Sequence, residues 1–473
     1  SQAIQTCLNQ AGAIASGAHN ATLVKFGAKR YAIVKPLLVP AHVYLSGDEH
    51  GQTTLYIPTS SLAASGWING RSYFGLLNLT IQSNSERILS NLSSTATDLG
   101  HILIDHVNID VTDPVGRRPD WPGTHDVQLR ISSALTNGLK DTLQLQGDDI
   151  RIMRTTVKST GRALIMNKAS AVYLDGDAFL SGYVGWYNLQ NCDGVIFQNS
   201  RISGTDPFAS GGSYSAGPGI SENIYTASNV YEHLPGNNGE ALTTDGPGGA
   251  YFGHLSSVAA NRLTLASDPN WKNSNWRGAS VAILGGRGAG QYRIITSASS
   301  RDVEIESPFD ISPDETSLVS IIPTQRHYII VNNRATDAGI GFQFYGTVFE
   351  SVMAANAVSR SGGIFLHAGR YGDGIQPNFF VQVLYNRIVQ RGSFKGGPDN
   401  PNISDPGLVQ VHCAAPSATL GVVVRGNDLS DQGQIRILNR SDTIHGLVLE
   451  KNAASSPNNA LQIQQRSDGV VIR

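Results

Sequence analysis

The chain has 473 residues, of which 51 are glycine and only 15% are charged, and its formal net charge is −2. This near-neutral balance, with no Lys/Arg cluster among aromatic residues, argues against binding to nucleic acid or to an anionic membrane surface. No run of about 18 apolar residues occurs, so no transmembrane helix is predicted. Short apolar runs between many glycines are typical of a turn-rich β protein.

The first residues have the spacing of an amphipathic helix. Ile4, Cys7, Leu8 and Ala11 recur on one helical face, which predicts a helix within Ser1–Ala13. Terminal units of repeat proteins need a different outer face, so this helix is expected to cover the open end of a solenoid. Short strand-like runs follow it: Ala21–Phe26, Arg30–Val34, His42–Leu45 and Thr53–Pro58.

One short sequence motif then recurs. It is a strand in which apolar and polar residues alternate, followed by Asn and another apolar residue. Its copies include FGLLNLTI (Phe74–Ile81), ILIDHVNI (Ile102–Ile109), YIIVNNRA (Tyr328–Ala335) and VQVLYNRI (Val381–Ile388). With Asn as the marker, Asn332, Asn356 and Asn386 are 24 and 30 residues apart. Alternation predicts half-buried strands, and this period is too short for a propeller blade, so the repeat predicts a parallel β-solenoid. The marker asparagines are expected to form a ladder of side-chain amides between coils.

The repeated motif is absent between Ala250 and Thr324. About five short strand-like runs in this region predict a small antiparallel β insert. The predicted division is therefore 1–249 for the N-terminal cap and the first half of the solenoid, 250–324 for the insert, and 325–473 for the second half. Glycines in GGRGAGQ (Gly285–Gln291) indicate a turn within the insert, because no helix follows them.

Three cysteines, Cys7, Cys192 and Cys413, are far apart and fit neither a disulfide framework nor a CxxC metal site. They are predicted to be small buried apolar residues. No metal and no other cofactor is predicted.

The chain resembles the right-handed parallel β-helix superfamily that includes pectate lyases, polygalacturonases and phage tailspike depolymerases. SQAIQTCLNQA matches its capping helix and LVKFGAKRYAIVKPLLVPAHVYLSGD its first coils, and the resemblance covers Ser1–Tyr231 and Gln325–Arg473. It implies an all-β, right-handed parallel β-helix fold. LTTDGPGG is similar to the Asn-Thr-Asp-Gly segment of polygalacturonases, in which Asp245 would match the acid. The Asp-Asp, Gly-His-Gly and Arg-Ile-Lys segments that follow in that family are missing.

The same stretch, GNNGEALTTDGPGG (Gly236–Gly249), holds the first candidate catalytic residues, Glu240 and Asp245. Glycoside hydrolysis needs two carboxyl groups, about 5–5.5 Å apart for retention or about 6.5–9.5 Å for inversion. Five positions around a turn would allow either distance. Asp177 and Asp206, from earlier coils, are candidate helpers. The alternative interpretation is that all four are turn or solvated loop residues.

Two further groups are candidates for substrate binding. FLHAGRYGDG supplies His367, Arg370, Tyr371 and Asp373, which could move a proton, bind a carboxylate and stack on a ring. The alternative there is a solvated loop held by its own Asp–Arg pair.

Aromatic residues upstream of Glu240, namely Trp186, Tyr187 and Tyr214, are expected to line the floor of a groove. Singly, each is more often a packing residue than a sugar platform.

Three functions follow from these residues. The first is a glycoside hydrolase that cleaves a polysaccharide or oligosaccharide by carboxylate acid/base catalysis. The second is a polysaccharide lyase on a uronic-acid-containing glycan, with a Lys, Arg, His or Tyr base and often Ca²⁺. The third is a non-catalytic carbohydrate-binding solenoid. The expected partner is a carbohydrate and neither nucleic acid nor membrane, and the expected location is secreted or periplasmic. The sequence does not determine the oligomeric state.

Overall fold

The computed structural model describes residues 1–473 apart from 19, 60–62, 64, 86, 93–97, 112–140, 160, 182–186, 206–208, 236–238, 246–247, 273, 390–406, 432, 441–442, 455–460, 465–469 and 473. The chain winds as a right-handed parallel β-helix, as predicted, in coils that visit three faces in the order face 1, face 2, face 3. Strands of one face pair in parallel with the equivalent strands of the coils before and after.

The bounds of the strands follow, face by face. Face 1 consists of Thr22–Lys25, Val43–Ser46, Ser72–Leu77, Gly100–Asp105, Asp141–Met153, Arg162–Asp175, Asp193–Gln198, Ile220–Ala227, Thr324–Val331, Val352–Ala354, Gln382–Leu384, Val423–Arg425, Leu447–Glu450 and Val470–Ile472. Face 2 consists of Arg30–Ala32, Thr54–Ile57, Thr80–Ser83, Asn108–Val111, Thr156–Ser159, Ala178–Ser181, Arg201–Gly204, Val230–Leu234, Arg334–Ala338, Ala357–Ser361, Arg387–Val389, Asp428–Leu429 and Ala453–Ala454. Face 3 consists of Leu37–Val39, Ile68–Gly70, Leu89–Ser90, Tyr187–Gln190, Gly212–Ser215, Glu240–Asp245, Ile340–Tyr345, Gly363–Tyr371, Leu408–Ala414, Gln434–Arg440 and Leu461–Gln464.

The corner between face 3 and face 1 is also built from strands. Two long strands, Asp141–Met153 and Arg162–Asp175, pass through this corner without a break and belong to both faces. In later coils the corner has short strands of its own, at Val348–Phe349, Gly374–Gln376, Asn378–Phe379, Thr419–Leu420 and Ile444–His445. This corner carries the insert and the candidate site described below.

Alternation of apolar and polar residues produces the core of the coils. In Gly100–Asp105, burial alternates strictly, and Ile102 and Ile104 point inward. They stack in register on equivalent residues of the coils on either side, Phe74 and Leu76 before, and Ile150 and Ile152 after. Each coil therefore buries the apolar face of its neighbour, which stabilises the solenoid at roughly 25 cal/mol per Å² of apolar surface removed from water.

The predicted asparagine ladder runs along the corner between face 1 and face 2. The backbone N of Asn333 donates to Asn356 Oδ1 at 2.9 Å, and the backbone N of Asn356 donates to Asn386 Oδ1 at 2.9 Å. Equivalent bonds run from the backbone N of each ladder residue to the side-chain oxygen of the next. The ladder residues are, in order, Thr155, Asp177, Ser200, Asn229, Asn333, Asn356, Asn386, Asn427 and Asn452. The buried backbone donors of the corner are satisfied in this way.

The predicted ladder position is wrong by one residue in more than one coil, because the ladder bonds are made by Ser200 and not Asn199, and by Asn333 and not Asn332. Asn332 is exposed and has a positive φ of 55°, whereas its neighbour Asn333 is buried and makes the ladder bonds. The bend of the corner falls on Asn332, and Asn tolerates this left-handed conformation better than most residues.

The N-terminal helix spans Gln2–Ala18, five residues beyond the predicted end. Leu8 and Ala15 are fully buried against the first coil. The Gln5 side-chain amide donates to Leu38 O and accepts from Leu38 N, both at 2.9 Å. A glutamine thus pairs the free edge of the first face 3 strand, which would otherwise be open to another chain.

No helix in the described ranges is long and apolar enough to cross a membrane. Of the cysteines, Cys192 and Cys413 are buried as predicted, but Cys7 is exposed, because it lies beside rather than on the buried stripe of the helix.

The insert is a closed antiparallel barrel of six strands, in agreement with the predicted antiparallel β insert. Its strands are Tyr251–Ala259, Arg262–Leu265, Ser280–Gly285, Tyr292–Ser299, Asp302–Ile305 and Leu318–Ile322. The barrel has its own apolar core around Trp276, which is fully buried. It enters the chain between a face 3 strand that ends at Asp245 and a face 1 strand that begins at Thr324, so it covers the corner between these faces.

Candidate active site

The two predicted catalytic carboxylates lie on one strand. Glu240 begins and Asp245 ends a face 3 strand that pairs with Gly212–Ser215 on one side and with Ile340–Tyr345 on the other. The prediction that they lie around a turn is wrong, because the four residues between them are buried strand residues. Five steps of about 3.3 Å along a strand separate the two backbone positions by roughly 16 Å, so only the side chains could bring the carboxyl groups closer. Glycine and proline mark the ends of this strand and not its middle.

Glu240 is a buried acid. Only 6% of it is exposed, and its Oε2 atom has no hydrogen-bond partner among the described residues. Burial raises the pKa of Glu240 to about 8, and the negative charge of Asp245 acts in the same direction. Glu240 is therefore mostly protonated at neutral pH.

A column of titratable side chains continues from Asp245 across the next coils. Tyr345 pairs in register with His367, and His367 with His412, at equivalent places on their face 3 strands. The register of the preceding strand pair, continued by two residues, puts Asp245 opposite Tyr345. All four residues are half-buried, whereas their strand neighbours Phe344, Leu366 and Val411 fill the core. We call these four residues the outer column.

Contacts within the outer column set the charge state of its members. The rings of Tyr345 and His367 stack with centroids 4.9 Å apart, and His412 Nδ1 lies 3.1 Å from His367 Nδ1. Burial, and then the charge of His412, lower the pKa of His367 to about 4. Burial raises the pKa of Tyr345, with further contributions from Asp245, Tyr371 and Glu240. At neutral pH the column thus presents a neutral imidazole and a neutral phenol.

A hairpin forms one wall beside the outer column. Its strands pair Gly369 with Gln376 and Tyr371 with Gly374. Arg370, Tyr371 and Asp373, all predicted binding residues, are exposed on it. His367, on the same strand, belongs to the outer column, so the structure brings these four residues together near Asp245.

Close contact with the segment after Asp245 holds the hairpin in place. Gly249 N donates to Tyr371 O at 3.2 Å. A Cβ atom at Gly249 would lie 2.5 Å from Gly374 Cα, so only glycine permits this approach. Asp373 accepts from Asn270 of the barrel at 2.7 Å rather than forming the expected pair with Arg370. Gly249 and Asn270 thus hold the hairpin against the beginning of the barrel.

The other predicted residues lie elsewhere. Asp177 is a ladder residue at the corner between face 1 and face 2, where its Oδ1 accepts from Thr155 N at 2.9 Å. It is 3% exposed, and burial raises its pKa to about 8. The structure therefore does not bring Asp177 together with Glu240 and Asp245. Asp206 and Trp186 lie outside the described residues.

Tyr187 and Tyr214 are inside the coils, so the prediction that they line a groove is wrong. They are 1% and 0% exposed, and the Tyr187 hydroxyl lies 3.1 Å from that of Tyr231 in the core. Here the core is wide enough for aromatic rings, and the hydroxyl groups satisfy one another.

Tyr345 and His412 are members of the site that the sequence analysis missed. Their strands contain FQFY and VQVH, and His367 has the equivalent place in IFLH. Alignment of the ends of the face 3 strands, rather than of the asparagine corners, would have found them. Within the described residues, no group of three or more His, Cys, Asp and Glu is arranged to hold a metal ion.

No family model matches the chain, and no curated protein matches it. Among solved structures, the Dettilon tailspike protein matches with a TM-score of 0.51 at 9% identity, over 94% of this chain and 66% of the tailspike chain. The A-module of a mannuronan C-5 epimerase from Azotobacter vinelandii matches with a TM-score of 0.39 at 10% identity, over 99% and 95% of the two chains. A family 28 exopolygalacturonase from Yersinia enterocolitica matches with a TM-score of 0.42 at 10% identity, over 100% and 75%.

At these identities the likeness concerns the fold. The resemblance to the right-handed parallel β-helix superfamily is confirmed at that level.

Proposed function

We propose that the chain is a carbohydrate-active enzyme, a glycoside hydrolase that cleaves a polysaccharide or oligosaccharide at the face 3 strand Glu240–Asp245. One observation carries the proposal: Glu240 and Asp245 lie on one strand, and burial raises the pKa of Glu240 to about 8. A buried carboxyl group that holds its proton can serve as the acid of a glycosidase, which also needs a second carboxyl group.

The roles follow from the charge states. Glu240 holds a proton at neutral pH and donates it to the glycosidic oxygen as the bond to the anomeric carbon breaks. Asp245, at the more open end of the strand, provides the carboxylate that stabilises the positive charge on the ring or activates a water molecule. Where Asp245 only stabilises the ring, Glu240 takes the proton back from the attacking water; where Asp245 activates the water, it takes that proton and returns it through solvent as Glu240 is reprotonated.

The outer column and the hairpin provide the binding surface in this account. Tyr371 is 49% exposed, and Tyr345 and His367 present ring faces and polar edges toward the same side. Aromatic faces and neutral hydrogen-bonding groups suit the rings and hydroxyl groups of a sugar chain. A secreted or periplasmic location would give such an enzyme access to a polymer.

A polysaccharide lyase is the second candidate, because His367 is a neutral imidazole stacked on a tyrosine. A lyase removes the proton next to the carboxylate of a uronic acid and expels the leaving oxygen, which leaves a double bond in the product. His367 would then take up the proton, the Tyr345 hydroxyl would donate a proton to the leaving oxygen, and Arg370 would neutralise the carboxylate.

Product analysis on a panel of neutral and uronic-acid glycans separates these functions. Reducing ends and the absorbance of unsaturated uronate are recorded together for the wild type and for Asp245→Asn. The proposal predicts new reducing ends without the unsaturated signal, and loss of both product and turnover in Asp245→Asn. An unsaturated product that persists in Asp245→Asn would replace hydrolysis by the lyase reaction, and no product from any glycan would favour a binding protein.

A further inference from the structure

A second cleft, which the proposed reaction does not use, lies where the barrel meets the beginning of face 1. Its volume is about 410 Å³, within the range of about 300–1,000 Å³ that is usual for ligand sites. The residues that line it include Tyr292, Arg293 and Glu306 from the barrel, and Arg326, Glu350 and Phe380 from the coils. None of them belongs to the outer column or to the hairpin Gly369–Gln376.

The polar side chains of the cleft are held in place by one another. The Tyr292 hydroxyl donates to Glu350 Oε2 at 3.0 Å, and His327 Nε2 lies 3.0 Å from the same oxygen. The Tyr292 ring stacks on Phe349 with centroids 4.2 Å apart, which fixes the barrel strand against the corner. A ligand would therefore meet a preformed surface and would not have to order these groups.

The charges of the cleft disfavour an anion. Both cations are paired, Arg326 with Glu222 at 2.7 Å and Arg293 with Asp310 at 2.9 Å. The lining as a whole contains two arginines against three carboxylates, those of Glu306, Asp310 and Glu350. A phosphate or a uronate would meet a net negative surface, whereas a hydroxyl group could donate to the carboxylates.

An exposed aromatic ring completes the lining. Phe380 lines the cleft and is 44% exposed, so part of its ring is open to a ligand there. An aromatic face beside carboxylates matches the two surfaces of a sugar, its apolar ring face and its hydroxyl edge.

We propose that this cleft is a non-catalytic binding site for an uncharged sugar unit of a glycan. The inference rests on the proposed function for the class of its ligand. The cleft is lined by the barrel and by residues at the beginning of face 1, whereas the outer column lies on face 3, so the two share no residue.

Binding by calorimetry tests the proposal with the full chain. The probes are neutral tetrasaccharides of glucan, mannan, galactan and xylan, with tetragalacturonate as the anionic comparison. All proteins carry Asp245→Asn, so that the probes are not hydrolysed during the measurement. The variants compared with this background carry Phe380→Ala or Glu306→Gln in addition. Tyr385→Ala is the matched control, because Tyr385 is 63% exposed and does not line the cleft.

We expect at least one neutral tetrasaccharide to bind, with affinity reduced at least tenfold by Phe380→Ala and by Glu306→Gln but not by Tyr385→Ala. In the wild-type background, Phe380→Ala should leave the turnover of a short soluble substrate unchanged. If Phe380→Ala does not fold, as judged by circular dichroism, Glu306→Gln decides alone. Equal binding by all variants, binding of tetragalacturonate only, or no binding at all would overturn the proposal. Absence of turnover with intact binding would instead count against the hydrolase.

Discussion

Tyr345 and His367 stack across two adjacent coils, with ring centroids 4.9 Å apart and 28° between the ring planes. Neither ring is needed for the core, because Phe344 and Leu366 fill the interior at the adjacent strand positions. A stacked pair in line with Asp245 is therefore available to a ligand. The stacked pair lies near the corner that carries the barrel, where the regular repeat of the solenoid is interrupted.

Replacement of Tyr345 by phenylalanine separates binding from proton transfer. The ring and its stacking on His367 remain, so in the hydrolase account kcat should change by less than about tenfold and KM should rise modestly through the lost hydroxyl. Steady-state kinetics on the substrate found in the glycan panel measure both constants. A loss of kcat of a hundredfold or more with unchanged KM would identify the phenol as a proton donor or acceptor and favour the lyase.

Glu240 should make the folded state less stable as the pH rises. Its pKa is raised from the usual 4.5 to about 8 in the folded chain, so between these values the unfolded chain has already lost a proton that the folded chain retains. Stability attributable to Glu240 is thus complete below pH 4.5 and is lost as the pH rises to 8.

Urea unfolding of the wild type and of Glu240→Gln from pH 4 to 9 measures this effect. The stability of the variant relative to the wild type should increase between pH 4.5 and 8 and be constant outside that window. Glu315→Gln, on an exposed barrel loop, is the control and should show no such trend. Parallel curves for Glu240→Gln and the wild type would show that Glu240 is not a protonated buried acid.

Substitutions of Asp177 test whether this residue has a structural role in the ladder or a catalytic role. An asparagine there can still accept from Thr155 N and removes a buried acid whose pKa is about 8. We expect Asp177→Asn to be at least as stable as the wild type at pH 8, and Asp177→Ala to lose about 1–3 kcal/mol through an unsatisfied backbone donor. Both should retain wild-type kcat. Loss of activity in a stable Asp177→Asn variant would return this residue to the catalytic group.

The sequence predicts the fold well because its signals are local. Alternation within many strands, an asparagine at the corner between face 1 and face 2 in the later coils, and the amphipathic N-terminal helix can be read within windows of about ten residues. The barrel is also predictable, since the interruption between Ala250 and Thr324 removes the repeat signal. At the corner, Asn332 and Asn333 cannot be told apart by residue type, and only the bend decides which side chain turns inward.

The candidate site is less predictable because it depends on register between coils. His367 and His412 are 45 residues apart and meet only when two face 3 strands pair. Tyr187 and Tyr214 have the composition of a sugar platform, but they face the interior, because pairing between coils and not residue type sets their orientation. Glu240 and Asp245 are candidates because they carry carboxyl groups, but the sequence did not predict that they lie on one strand.

The most direct test of the account is the dependence of Glu240→Gln on the leaving group. A natural glycosidic oxygen needs a proton to depart, whereas dinitrophenolate does not, so the acid matters only for the former. For one sugar, kcat/KM is measured on the oligosaccharide and on the dinitrophenyl glycoside with the wild type and Glu240→Gln. We predict a loss of about a hundredfold or more on the oligosaccharide and of less than about tenfold on the dinitrophenyl glycoside. Equal losses on both substrates, or no loss on either, would contradict the assignment of Glu240 as the general acid.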